Sequence, residues 1–129
     1  METREPRIPG PEHPITIEAT DQRFVVRANG QVVADSSATL TLQEAAYPPV
    51  QYFPLADVDE TLLRGSSTST YCPYKGDASY YSIAGPEGDI EDAVWTYVDP
   101  YPAVSAIAGY LAFYPNRVSI APFEVSAAT

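Results

Sequence analysis

Apolar residues recur along this chain more often at a spacing of two than at helical spacing, the pattern of strands that bury one face. Ile15 and Ile17 alternate with Thr16 and Glu18, which predicts a first strand. A second covers Arg23 to Ala28, and Asn29-Gly30 separates Phe24-Val25-Val26-Arg27 from Gln31-Val32-Val33-Ala34. Asn-Gly tolerates the positive φ angles of a tight type I′ turn, so these two segments read as a hairpin. Leu40 and Leu42 alternate with Thr39 and Thr41 in a further strand that ends at Glu44. Tyr47-Pro48-Pro49 interrupts the pattern, because proline lacks an amide hydrogen and drives the residue before it out of the helical region. A short strand then covers Val50 to Phe53.

Asp57-Val58-Asp59-Glu60, followed by Leu62 and Leu63, has a capping residue with an acidic residue three positions on, and predicts a helix of one or two turns. Gly65-Ser66-Ser67-Thr68-Ser69 reads as a polar loop. Strands at Ser79 to Ala84 and Ile90 to Val98 flank the turn-rich Gly85-Pro86-Glu87-Gly88-Asp89 and are expected to pair. Pro102 at a first helical position and Gly109 just past Ala108 predict a second short helix. Tyr110 to Tyr114 and Val118 to Ala121 then form a last strand pair around Pro115-Asn116-Arg117. The result is a mainly β fold with one or two short helices. Residues 1–12 carry prolines and mixed charge without periodicity and read as a flexible lead-in; residues 13–122 form a single domain, and 123–129 a tail.

A length of 129 residues with 45% hydrophobic content supports one compact core and not two ordinary domains. The formal charge of −10, from 17 acidic and 7 basic residues, opposes general binding to nucleic acid or anionic lipid. A small anion is still compatible with that field if Lys75 and Arg64 create a local cationic pocket. The single cysteine excludes an intramolecular disulfide, and with one histidine it cannot complete a four-ligand zinc site, so no metal or other cofactor is expected. With no apolar leader and no segment long enough to span a bilayer, the expected location is the reducing cytoplasm. Nothing in the sequence sets the oligomeric state.

Against this background one segment stands apart. The only cysteine and the only lysine lie three residues apart in Tyr71-Cys72-Pro73-Tyr74-Lys75-Gly76-Asp77-Ala78-Ser79-Tyr80-Tyr81. An ammonium, a thiol, nearby tyrosines and a carboxylate make this a candidate site. On the strands that follow, Tyr81 and Ile83 face one side and Tyr80 and Ser82 the other, while Trp95 and Tyr97 share a face. One aromatic wall results, and Tyr52 and Phe53 supply another. A concave apolar surface with a few convergent polar groups is the usual form of a small-molecule site. The same aromatic residues also suit a core with polar tips at the surface, and Cys72 suits an inert buried thiol. Glu44 and Glu91 are either an acid and base pair or solvated or lysine-paired carboxylates. His13, before Pro14, reads as structural or exposed.

The segments Glu44-Ala45-Ala46-Tyr47-Pro48-Pro49-Val50-Gln51-Tyr52-Phe53-Pro54, Cys72 to Tyr81, Glu91-Asp92-Ala93-Val94-Trp95-Thr96-Tyr97 and Ile107-Ala108-Gly109-Tyr110-Leu111-Ala112-Phe113-Tyr114 resemble, in this order, the domain-of-unknown-function 427 family. The resemblance runs from His13 to Ile120. It implies a small β fold of two antiparallel sheets packed at an angle, similar to the β-tent of methionine sulfoxide reductase B and of the thalidomide-binding domain of cereblon. It also implies a ligand pocket between the sheets. The structural zinc of those relatives needs paired cysteines and does not carry over to a chain with Cys72 alone. The family bears a nucleotidyltransferase-like label, but neither G-x-G-x-x-G nor G-x-x-x-x-G-K-[ST], the phosphate cradles of common nucleotide folds, occurs here.

Two functions from different classes follow. One is a binding module for a small polar or anionic metabolite, in which Lys75 pairs with an anionic group, Trp95, Tyr80, Tyr97 and Tyr52 form the aromatic lining, and Glu44 and Asp77 add polar contacts. The other is an enzyme in which Cys72 or Lys75 is the nucleophile or acid/base, aided by Asp77 or Glu44, with nucleotidyl transfer as one such chemistry. A protein-interaction domain using exposed sheet edges is a third, less specific reading.

Overall fold

A computed structural model describes residues 6–122. The ten strands in this range are β1 (Ile15–Ala19), β2 (Phe24–Ala28), β3 (Gln31–Ser36), β4 (Leu40–Glu44), β5 (Val50–Tyr52), β6 (Leu63–Cys72), β7 (Gly76–Ile83), β8 (Ile90–Thr96), β9 (Leu111–Phe113) and β10 (Ser119–Pro122). They form three antiparallel sheets, ordered β1-β4-β5, β10-β2-β3 and β6-β7-β8-β9, where the resemblance implied two. The mainly β class read from the sequence is the class observed. Asn29 and Gly30 take φ angles of 54° and 78°, the left-handed pair that a two-residue I′ turn requires, and they join β2 to β3 as expected. Among the described residues no helix is long and apolar enough to cross a membrane.

The four-stranded sheet lies at the centre because both of its faces are apolar. Strand alternation sends Leu111 and Phe113 to one face and Ala112 to the other. On the first face Ile83, Val94, Leu111 and Phe113 pack with Val26, Val33 and Ala34 of the β2-β3 hairpin. Phe53 and Phe113 meet edge to face at 5.5 Å inside this layer. On the second face Ala78, Tyr80, Tyr97 and Ala112 pack with Leu42 and Tyr52 of the β1-β4-β5 sheet and with Val104 and Ile107. Paired backbone hydrogen bonds between Phe53 and Leu111, of 2.7 and 2.8 Å, tie that sheet to β9. The sides assigned from the sequence hold: Tyr81 and Ile83 join the first layer, whereas Tyr80, Trp95 and Tyr97 join the second.

Several local expectations change. The segment around Asp57 forms two separate 3-10 turns, Leu55–Asp57 and Glu60–Leu62, instead of one short continuous helix. Ala34 forms a bridge with Val58, and the Asp59 amide donates to the Val33 carbonyl at 2.7 Å, which keeps the chain extended between the turns. Asp59 is the cap of the second turn, accepting from the Thr61 amide. Pro102–Ile107 is likewise 3-10, kinked at Val104, and Gly109 follows at φ 76°.

Gly65–Ser69, read as a loop, lies within β6, an edge strand whose side chains meet solvent on both faces and so show no apolar alternation. Its register shifts between Gly65 and Ser69, where the Asp92 carboxylate accepts from Ser66 Oγ at 2.6 Å and Thr68 Oγ1 at 2.7 Å. The last two strands do not pair with each other. β9 pairs with β8 and β10 with β2, so Pro115–Arg117 carries the chain between sheets instead of closing a hairpin.

Residues 6–12 run beside the β6-β7 turn, with the Arg7 amide donating to the Pro73 carbonyl at 2.8 Å and a bridge between Gly10 and His13. Positions 1–5 of the expected lead-in and the expected tail at 123–129 lie outside the described residues.

Candidate functional site

The site begins with the tight connection of β6 to β7. Cys72 and Gly76 are register partners, so Pro73, Tyr74 and Lys75 make the turn between them. The Lys75 amide donates to the Cys72 carbonyl, and Gly76 has φ 108°, a conformation that a side chain would strain. The Tyr101 amide donates to the Lys75 carbonyl at 3.0 Å, holding the turn against the segment before the Pro102 turn. Lys75 therefore points inward, with only 11% of its side chain exposed.

Its Nζ donates to Glu44 Oε1 at 2.5 Å and lies 3.7 Å from Cys72 Sγ. Glu44 arrives from the last position of β4, paired in register with Ile15, and the Ala45 amide donates to the Pro14 carbonyl. That pairing sets His13 beside Glu44, whose Oε2 accepts from His13 Nε2 at 2.7 Å. The His13 ring stacks on Tyr74 at 4.0 Å with planes 7° apart. Four side chains from three separated segments thus form one chain of contacts, His13–Glu44–Lys75–Cys72. Burial alone pushes the Glu44 carboxyl up, but the hydrogen bonds from Lys75 and His13 more than reverse this and hold it below the ordinary carboxylate range.

Glu44 and Lys75 of this cluster line a cavity of about 220 Å³ between the β1-β4-β5 sheet and the central sheet. Its walls are aromatic: Tyr52, Tyr80, Trp95, Tyr97 and Tyr114, with Leu42, Tyr47, Pro48 and Val50 completing them. Tyr80 and Trp95 are register partners on β7 and β8. Hydrogen bonds fix most of the phenols. Trp95 Nε1 donates to the Tyr52 hydroxyl at 3.2 Å, and the Tyr80 hydroxyl lies 2.8 Å from Thr70 Oγ1 and 3.3 Å from the Tyr114 hydroxyl.

Tyr97 differs. It is 7% exposed, and its hydroxyl has no hydrogen-bond partner among the described residues, yet no buried polar side-chain atom there is left unsatisfied. The oxygen therefore keeps contact with the open space, and the space its side chain lines is this cavity. Lys75 Nζ is 6.0 Å from its ring centre. Burial pushes the Tyr97 and Tyr52 hydroxyls well above the ordinary phenol range, and Tyr114 up to about 12, so all three remain protonated donors at neutral pH.

Of the residues singled out from the sequence, Glu44, Tyr52, Lys75, Tyr80, Trp95 and Tyr97 line this cavity. Cys72 touches it through Lys75 and is half-buried. Asp77 is placed differently: β7 alternation turns it outward beside the buried Ala78, and it is not among the lining residues. Phe53 belongs to the opposite core layer. Arg64 pairs with Asp89 at 3.1 Å and does not join Lys75, and Glu91 is exposed on β8, away from Glu44. The lysine-paired alternative for Glu44 is the one observed. Sequence reasoning missed His13 and Tyr114; the signals were that His13 is the only histidine and that Tyr114 follows Ala112 at the two-residue spacing of one strand face. Among the described residues no three His, Cys, Asp or Glu side chains are grouped to hold a metal ion.

The chain thus combines a mainly β fold with a lysine-carboxylate pair beside an aromatic cavity. Residues 16–122 match a family described as a domain of unknown function (DUF427), and the chain belongs to that family. No curated protein matches it.

Proposed function

We propose that this chain binds a small polar or anionic metabolite in the aromatic cavity beside the Cys72–Gly76 turn. The observation that carries the reading is that Tyr97, over nine-tenths buried and with no hydrogen-bond partner for its hydroxyl among the described residues, lines the same cavity as Lys75. An ammonium has three N–H donors. Glu44 and Cys72 engage two of them, which leaves one for a ligand oxygen. Trp95 offers a face for a flat part of the ligand, with Tyr52 and Tyr80 as side walls. No catalytic base is required.

A thermal-shift screen of small metabolites and nucleotides tests this, because ligand bound to the folded state raises the melting temperature by mass action. The expected result is a ligand whose shift is reduced in both Lys75→Met and Tyr97→Phe. A ligand that shifts all three proteins equally contradicts the assignment of this cavity.

The 3.7 Å approach of Lys75 Nζ to Cys72 Sγ favours one second reading, an enzyme with Cys72 or Lys75 as nucleophile. Its test is labelling of the thiol and the amine at neutral pH. Rates no faster than those of model compounds eliminate it.

A further inference from the structure

We propose that the ligand is an acyl compound with a neutral carbonyl head, such as an amide, whose aliphatic chain passes Trp95 into a second, apolar groove. This deepens the binding reading above and rests on it. The groove has a volume of about 640 Å³ and is lined by Phe24, Pro49, Phe113, Pro115 and Ile120 among others, with no charged side chain among the described residues. Tyr47, Pro48, Val50 and Trp95 line both it and the Lys75 cavity, so the two spaces adjoin along these four side chains. The polar side chains of the groove wall are few: Gln51, Tyr47 and Trp95. The Gln51 carbonyl oxygen accepts from the Thr39 and Thr41 hydroxyls, each at 2.9 Å, which leaves its amide N–H groups as the donors it can offer.

The cavity end selects the head. The Lys75 ammonium is already paired with Glu44, so it offers its remaining N–H as a hydrogen-bond donor whose charge is partly offset. A carbonyl oxygen accepts from the third Lys75 N–H and from the Tyr97 hydroxyl. A carboxylate in the same place would face the Glu44 carboxylate and is disfavoured. The occupant specified by the two ends together is therefore polar and neutral at one end and apolar along its length.

The experiment is calorimetric titration of the folded protein with acetamide, butanamide, hexanamide and octanamide, with octanoate for comparison. Once the chain passes Trp95, each methylene should tighten Kd by about fourfold. Tyr97→Phe should weaken every member by a common factor of about three to ten. Pro49→Asp, at an exposed position of the groove wall, should flatten the chain-length dependence. Octanoate should bind more weakly than octanamide. Affinity independent of chain length in the wild type overturns the groove extension. Chain-dependent binding that ignores both Tyr97→Phe and Lys75→Met overturns the single continuous site. If no amide binds, the acyl class is wrong, and the metabolite screen with the same two variants then decides separately whether the cavity binds another class.

Discussion

Replacing Lys75 with methionine keeps most of the side chain's apolar length but leaves Glu44 with only His13 as a hydrogen-bond partner in a largely buried setting. Removing one member of a fully buried ion pair costs about 3–5 kcal/mol, because the remaining charge is neither solvated nor paired. Here the Lys75 and Glu44 side chains retain 11% and 15% exposure, and the cavity gives water access to their end. The expected cost is therefore near the bottom of that range, about 3 kcal/mol. Unfolding entropies of about 2.1 cal/mol/K per residue, applied to the whole chain, convert this to a fall in Tm of roughly 11 °C.

Chemical denaturation followed by circular dichroism measures the cost directly, since a lower midpoint at unchanged slope reports stability alone. Adding Glu44→Gln should recover part of the loss, because the double variant buries no unpaired carboxylate. A Lys75→Met variant within about 0.5 kcal/mol of wild type would refute the buried pair, since changes of that size are ordinary at exposed positions.

Further outcomes follow from the same geometry. The folded Glu44 carboxyl titrates below its unfolded value, so its contribution is fully present above about 4.5 and is lost as pH falls through the lower folded value; acid unfolding followed by tyrosine fluorescence should be less steep in Glu44→Gln than in wild type. Tyr97→Phe should change stability by less than about 1 kcal/mol in urea melts, because its hydroxyl gives up no partner among the described residues, while it weakens ligand binding. Gly30→Ala should cost about 1 kcal/mol or more in the same melts, since φ 78° strains a residue with a side chain. Phe53→Ala, at a fully buried position in the layer between the β10-β2-β3 sheet and the central one, should cost about 3–5 kcal/mol.

The strands with regular alternation and the Asn29-Gly30 turn were legible in the chain because their backbone and burial requirements are local. The β6 segment was not, since an edge strand bathed on both faces has no reason to alternate and its Ser-Thr composition is also that of a loop. The partners of β9 and β10 were hidden for another reason: Pro115-Asn116-Arg117 has the composition of a hairpin turn, but the layering of the sheets, a property of the whole chain, sends the two strands to different neighbours.

The candidate site divides in the same way. Cys72 and Lys75 meet because a short turn joins them, a proximity that their spacing already contained. Glu44 and His13 reach them only through the pairing of β1 with β4 and the packing of that sheet on the central one. Asp77, adjacent in sequence to the turn, is carried outward by the two-residue alternation that brings Ala78 and Tyr80 inward.

The most direct test of the cavity uses Trp95, the only tryptophan in the chain and a wall of both open spaces. Its indole N–H gives a single NMR signal, to be followed while a ligand from the metabolite screen is titrated into wild type and into Tyr97→Phe. The account predicts a saturable shift of that signal in the wild type and weaker binding in the variant. A ligand that saturates the protein while leaving the indole signal in place, or that binds both proteins equally, would contradict it.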